Sequence, residues 1–157
     1  MQNEQTLSNA ISKALNAKDL KAYFTTGHGE YELDQVDSKG YSKLKSRLLE
    51  LNFEIFDDLA VAEGIPKDAS LVVALGPKQP FTTAESDSLA NYLASGGSGL
   101  FLLDPGGLTG LENLLDSYSI IVGQNFVVDL SGLGQLFGAD VSVPVVMNYG
   151  EHPISEK

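Results

Sequence analysis

Leu71-Val72-Val73-Ala74-Leu75-Gly76-Pro77 is an unbroken apolar run of strand length that stops on Gly-Pro. A strand covered on both faces reads this way, because neither side of it meets water. Toward the N-terminus, Ala22-Tyr23-Phe24 begins a similar run that breaks at Thr26-Gly27-His28-Gly29-Glu30. Between the two, Tyr41, Leu44, Leu48 and Leu51 fall on one helical face, with Asp37 or Ser38 as start signals and Asn52 at the exit. Phe53 to Leu59 follows, alternating Phe53 and Ile55 with Glu54, so it is expected at a sheet edge with one wet face. Toward the C-terminus, Thr82 to Ser95 is a second helix, with Thr82 and Glu85 at capping-box spacing and Gly96-Gly97 to end it. Leu100 to Leu103 then runs into Asp104-Pro105. The alternation of strands and helices predicts an α/β fold, an open and mostly parallel sheet with helices on both faces.

The flanks extend this pattern. Leu7, Ile11 and Leu15 write a narrow apolar stripe, so residues 1–20 are expected to form a leading amphipathic helix and 21–157 a single α/β domain. A short helix is expected around Leu108, Leu111 and Leu115, and a fifth strand at Phe126-Val127-Val128-Asp129. The edge strand at Phe53 offers one pairing surface for another chain, and the oligomeric state is left open by the sequence.

Composition removes several function classes. Ten Lys and Arg stand against 21 Asp and Glu, a net charge of −11, which repels phosphate backbones and disfavours nucleic acid and anionic lipid as partners. With no cysteine, thiolate catalysis and sulfur-ligated metals are excluded. No apolar run approaches the roughly 18 residues a membrane helix requires.

Candidate ligand-contacting residues are those that follow strands, since open parallel sheets bind ligands beyond the carboxyl ends of their strands. These are Gly27, His28, Gly29 and Glu30 after the first strand, Gly76 and Pro77 after the third, and Asp104 after the fourth. The glycines let a backbone approach a ligand, and His28 with Glu30 offers a titratable pair; the alternative is a tight turn in which His28 caps or packs. Glu30, Glu32, Asp34 and Asp37 crowd one loop, but their spacing does not match an EF-hand, and no metal site is expected. Gly27-x-Gly29 lacks the third glycine of a dinucleotide fingerprint, with Leu33 in its place, and there is no P-loop. Gly96-Gly97-Ser98-Gly99 precedes a strand, whereas a nucleophile elbow follows one. No catalytic residues and no cofactor are expected.

An ordered series of short motifs carries a family resemblance. Tyr23-Phe24-Thr25-Thr26-Gly27-His28-Gly29-Glu30, Gly40-Tyr41-Ser42, Ile65-Pro66-Lys67-Asp68-Ala69, Gly76-Pro77-Lys78, Tyr92-Leu93-Ala94-Ser95-Gly96-Gly97, Leu102-Leu103-Asp104-Pro105 and His152-Pro153-Ile154 together resemble the auxiliary domain of ABC-type transport systems. This is the family of the gliding-motility transporter component, and the likeness runs from Lys21 to Ile154. The resemblance implies a flavodoxin-like or class I glutamine-amidotransferase-like fold without established catalytic residues. The amidotransferase cysteine has no counterpart here. It further implies a non-enzymatic domain cut from a larger membrane-anchored protein, on the extracytoplasmic (periplasmic) face of the cytoplasmic membrane. Its partners would be an ABC permease and other transporter subunits, with a small ligand such as a sugar or peptide as a further candidate. The membrane would be reached only through segments outside this chain. Two alternatives stand beside this reading: a scaffold that binds only protein, its crevice filled by its own side chains, and a hydrolase using Asp104, Glu30 and His28.

Overall fold

The computed structural model describes residues 20–36 and 41–128, and beyond them 130, 132–136, 138, 140–142, 146, 148 and 150–151. The leading helix, the Asp37 and Ser38 caps and His152 lie outside the described residues. The chain comprises two compact units, 1–122 and 123–157.

In the first unit the order is β1 (Leu20–Thr25), α1 (Ser42–Glu50), β2 (Phe53–Leu59), a 3₁₀ turn (Val61–Glu63), β3 (Leu71–Leu75), α2 (Thr83–Ala94), β4 (Ser98–Leu102) and α3 (Glu112–Ser117). The four strands form one sheet in the order β2-β1-β3-β4, and every pair is parallel. The α/β arrangement is as expected, and the 2-1-3-4 order is that of the first four strands of a flavodoxin-like sheet. Connections leave β1 in one direction, to β2, and return past it to β3. The sheet therefore reverses between β1 and β3, where a crevice opens beyond the strand ends.

Each helix covers a face because its apolar residues recur on one side. Leu48 and Leu44 of α1 pack on Ala22, Phe24, Val73 and Leu75. Leu89, Ala90 and Leu93 of α2, with Leu111 and Leu114, pack on Tyr23, Val72 and Ala74 on the opposite face. Consecutive residues of β3 thus serve opposite cores, which explains its continuous apolar run. The β2 strand lies at an edge as predicted: Glu54, Asp57 and Asp58 are exposed, while Phe56 stacks on Tyr23 with ring centroids 4.6 Å apart.

Thr82 and Glu85 form the predicted capping box of α2, and Asn52 leaves α1 with a left-handed φ of 65°. Other details differ. Tyr41 precedes α1 without a side-chain cap. β4 starts at Ser98, because Ser98 and Gly99 pair with Leu71 and Val72. Leu108 is exposed; the third helix begins only at Glu112, whose carboxylate accepts from the Thr109 amide at 2.6 Å and its hydroxyl at 3.1 Å.

In the second unit Leu133–Leu136 form a single helical turn, α4, and the Asp140 carboxylate accepts from the amide and hydroxyl of Ser142. Phe126, Val127 and Val128 do not form the expected fifth strand, and Asp129 lies outside the described residues. A short apolar run has strand propensity, but it becomes a strand only when a ladder partner accepts it.

Candidate functional site

The loop after β1 folds back over the reversal point of the sheet. Gly27 and Gly29 both take positive φ, 104° and 73°, and so turn the chain sharply on either side of His28. Glu30 then closes the turn: its Oε1 accepts from Thr25 Oγ1 at 2.9 Å and its Oε2 from the His28 amide at 2.8 Å. The result drives the imidazole inward, leaving His28 only 7% exposed.

Inside, His28 meets the start of α2. Its Nε2 lies 3.3 Å from Glu85 Oε2, and its ring packs on Phe81 with centroids 4.1 Å apart. The ionised carboxylate can only accept, so the Nε2 proton is donated to it. Nδ1 is then buried without a hydrogen-bond partner among the described residues, 3.5 Å from Glu30 Oε1. Glu85 Oε2 also accepts from the Thr82 amide at 2.8 Å and hydroxyl at 2.7 Å. Burial pushes the Glu85 carboxyl up, but the Thr82 hydroxyl and amide and the His28 imidazole outweigh it and hold it below the ordinary range.

The main chain completes the closure. The amides of Lys78 and Gln79 donate to the His28 carbonyl at 2.8 and 2.9 Å, and the Tyr31 amide to the Leu75 carbonyl at 2.9 Å. Tyr31 lies across the end of β3, donating from its hydroxyl to Asp104 Oδ2 at 3.0 Å, with Lys78 Nζ 4.8 Å from its ring centroid. The bond to Asp104, together with that carboxylate's charge and burial, raises the Tyr31 phenol above its ordinary value. Gly76 sits directly beneath the ring at φ 55°, and a Cβ there would stand 2.6 Å from Tyr31 Cδ2 and 3.1 Å from Asp104 Oδ2.

The seven candidate residues therefore separate into two groups. Gly27, Gly29 and Glu30 line an open cleft of about 390 Å³, floored by Phe24 and Leu75 and rimmed by Asp57. His28 is buried behind it, Gly76 lies under Tyr31, Pro77 is half-buried beside Gly76, and Asp104 is exposed next to Gly76 at the hydroxyl end of the Tyr31 ring. Asp34 pairs with Lys45. Among the described residues no cluster of three His, Asp or Glu could hold a metal ion. Tyr31, Lys78 and Phe81 were not among the sequence candidates. Tyr31 carries no motif; its role follows from Gly76 and Asp104, 45 and 73 residues away.

A family model described as ABC-type uncharacterized transport system matches residues 20–140. Among curated proteins, the intraflagellar transport protein 52 homolog of Mus musculus is 36% identical over 95 residues, covering 57% of this chain and 22% of its own length. The chain thus spans under a quarter of that relative. No solved structure matches the chain significantly.

Proposed function

We propose that this chain, which belongs to the family of ABC-type uncharacterized transport systems, is a non-enzymatic auxiliary domain that acts by docking other protein subunits. One observation carries this reading. The crevice that open parallel sheets offer to ligands is partly filled by the chain's own loop, 27–31, fastened by main-chain bonds to Leu75 and by the His28 carbonyl to Lys78 and Gln79, beside a remaining cleft of about 390 Å³. Hydrolysis has little support. Glu30 is engaged by Thr25 and the His28 amide, Asp104 is bonded to Tyr31, and the buried imidazole is held against Glu85 and Phe81.

The partners in this reading are the ABC permease and other subunits of the transport system, on the extracytoplasmic (periplasmic) face of the membrane, including systems of the gliding-motility type. Among the described residues no helix is long and apolar enough to cross a membrane; in this reading the anchor is supplied by segments outside this chain. The named relatives belong to ABC-type and to intraflagellar transport.

A second reading is capture of a small polar ligand, a sugar or a peptide. It is favoured by the cleft lined by Gly27, Gly29 and Glu30. The two are separated by measuring binding of the chain to the detergent-solubilised permease complex, beside a thermal-shift screen of sugars and peptides. Docking predicts saturable binding to the complex and no shift from the small molecules. A ligand present at a hundred times its Kd would add about 2.7 kcal/mol; such a shift, with no binding to the permease complex, would refute the docking reading.

A further inference from the structure

We propose that the groove between α2 and α3 receives the guanidinium of an arginine side chain, presented by a partner subunit.

The groove holds about 340 Å³. Ser86 and Asp87 line it from α2, Glu112 and Asn113 from α3, and the buried Phe81 and Leu114 give it an apolar floor. It shares no residue with the cleft at Gly27, Gly29 and Glu30.

Two independent observations bear on what belongs there. The first is a buried group left unengaged. Ser86 is only 7% exposed, yet its hydroxyl makes no hydrogen bond among the described residues, and the groove is the space open to it. A nearly buried hydroxyl in that position costs stability until something brings it a partner.

The second is charge. Asp87 and Glu112 put a carboxylate on each wall, and among the described residues no Lys or Arg pairs with either. The surrounding sequence supplies no counter-charge: residues 79–156 contain nine Asp and Glu and no Lys or Arg. Lys21, Lys45, Arg47 and Lys78 are held elsewhere, by Asp68, Asp34, Glu50 and the Tyr31 ring. A partner's cation answers this demand, and for the existence of that partner the inference rests on the docking reading. An anion is disfavoured although two helices begin here, because Glu85 and Glu112 already accept from the amides of Thr82 and Thr109 at those starts.

The spread of acceptors favours guanidinium over ammonium. Carboxylates stand on both walls, with the Asn113 carbonyl and the Ser86 hydroxyl between them. A guanidinium presents five donors in a rigid plane, whereas an ammonium is a compact point charge. The aliphatic stem of arginine can lie along Phe81 and Leu114.

The probe is N-acetyl-arginine amide, titrated into the isotope-labelled chain and followed by NMR. The lysine analogue and the citrulline analogue, which keeps the shape of arginine without its charge, are titrated beside it. The arginine probe should shift the amides of Ser86, Asp87 and Asn113 saturably, with a Kd of about a millimolar. Binding should weaken as salt is raised. The lysine analogue should bind at least about threefold more weakly, and the citrulline analogue should give no saturable shift. Asp87→Asn should weaken the arginine probe at least about threefold. Asp116→Asn, which removes an exposed acid outside the groove, should leave it unchanged. Absence of a saturable shift at these amides, equal binding of any two probes, or an unaffected Asp87→Asn would overturn the proposal. Binding to the solubilised permease complex is measured on the same samples. A chain that takes the complex but not the arginine probe refutes this inference alone. One that takes the probe but not the complex refutes the docking reading and leaves the guanidinium site standing.

Discussion

Replacing His28 by alanine tests whether the imidazole acts inside the fold or at its surface. The substitution removes a hydrogen bond to an ionised carboxylate, worth about 1.5–3 kcal/mol. It also removes the ring packed on Phe81 and leaves a cavity, which adds to the loss. Relief of the unpartnered Nδ1 offsets part of this. The net expectation is about 3 kcal/mol, within the range for breaking a buried polar contact in a core. At this chain length 1 kcal/mol corresponds to about 2–4 °C, so the melting temperature should fall by about 6–12 °C. Calorimetry or thermal circular dichroism reads the shift. A double-mutant cycle with Glu85→Gln then isolates the pair, and a coupling of at least about 0.5 kcal/mol is expected for residues in contact. Permease binding, measured well below the new midpoint, should be unchanged. A fall under about 2 °C combined with lost binding would refute the reasoning and assign His28 to a contact surface.

Three further outcomes are expected. Gly76→Ala puts a Cβ into the Tyr31 ring at a left-handed φ; the left-handed strain alone should cost about 1–2 kcal/mol, read as a lower urea midpoint. Glu85 and Glu112 are both held below the ordinary carboxyl value of 4.5, in each case because hydrogen bonds outweigh burial. The folded state therefore binds these protons less readily than the unfolded chain. The stability they contribute is complete above the ordinary value and is lost as pH falls below it through the lowered folded values. Thr82→Ala should cost about 1 kcal/mol at neutral pH through the lost cap, and should flatten the acid limb of stability against pH.

Elements governed by local signals were legible in the sequence. The bounds of β2 and β3 follow from alternation and from an unbroken apolar run, and the start of α2 from Thr82 and Glu85. Features that depend on distant partners were not. Ser98 and Gly99 have little strand propensity and join β4 only because Leu71 and Val72 present a ladder. Phe126–Val128 has the propensity and no strand. At the site, the turn at Gly27-His28-Gly29-Glu30 was visible, but the direction of the imidazole was not. That direction is fixed by Glu85, 57 residues away, already engaged in a helix cap. Tyr31 escaped notice because a lone tyrosine in an acidic loop gives no sign that it will cover a glycine at the end of another strand.

The bonds that fold the loop over the sheet run largely between backbone atoms: Lys78 and Gln79 amides to the His28 carbonyl, and the Tyr31 amide to the Leu75 carbonyl. Its side chains are committed as well, Gly27 and Gly29 to left-handed turns, Glu30 to Thr25 and the His28 amide, and Tyr31 to Asp104. A substitution in this loop is therefore felt by the frame before it is felt at the surface, so variety in what the molecule touches has to come from positions elsewhere.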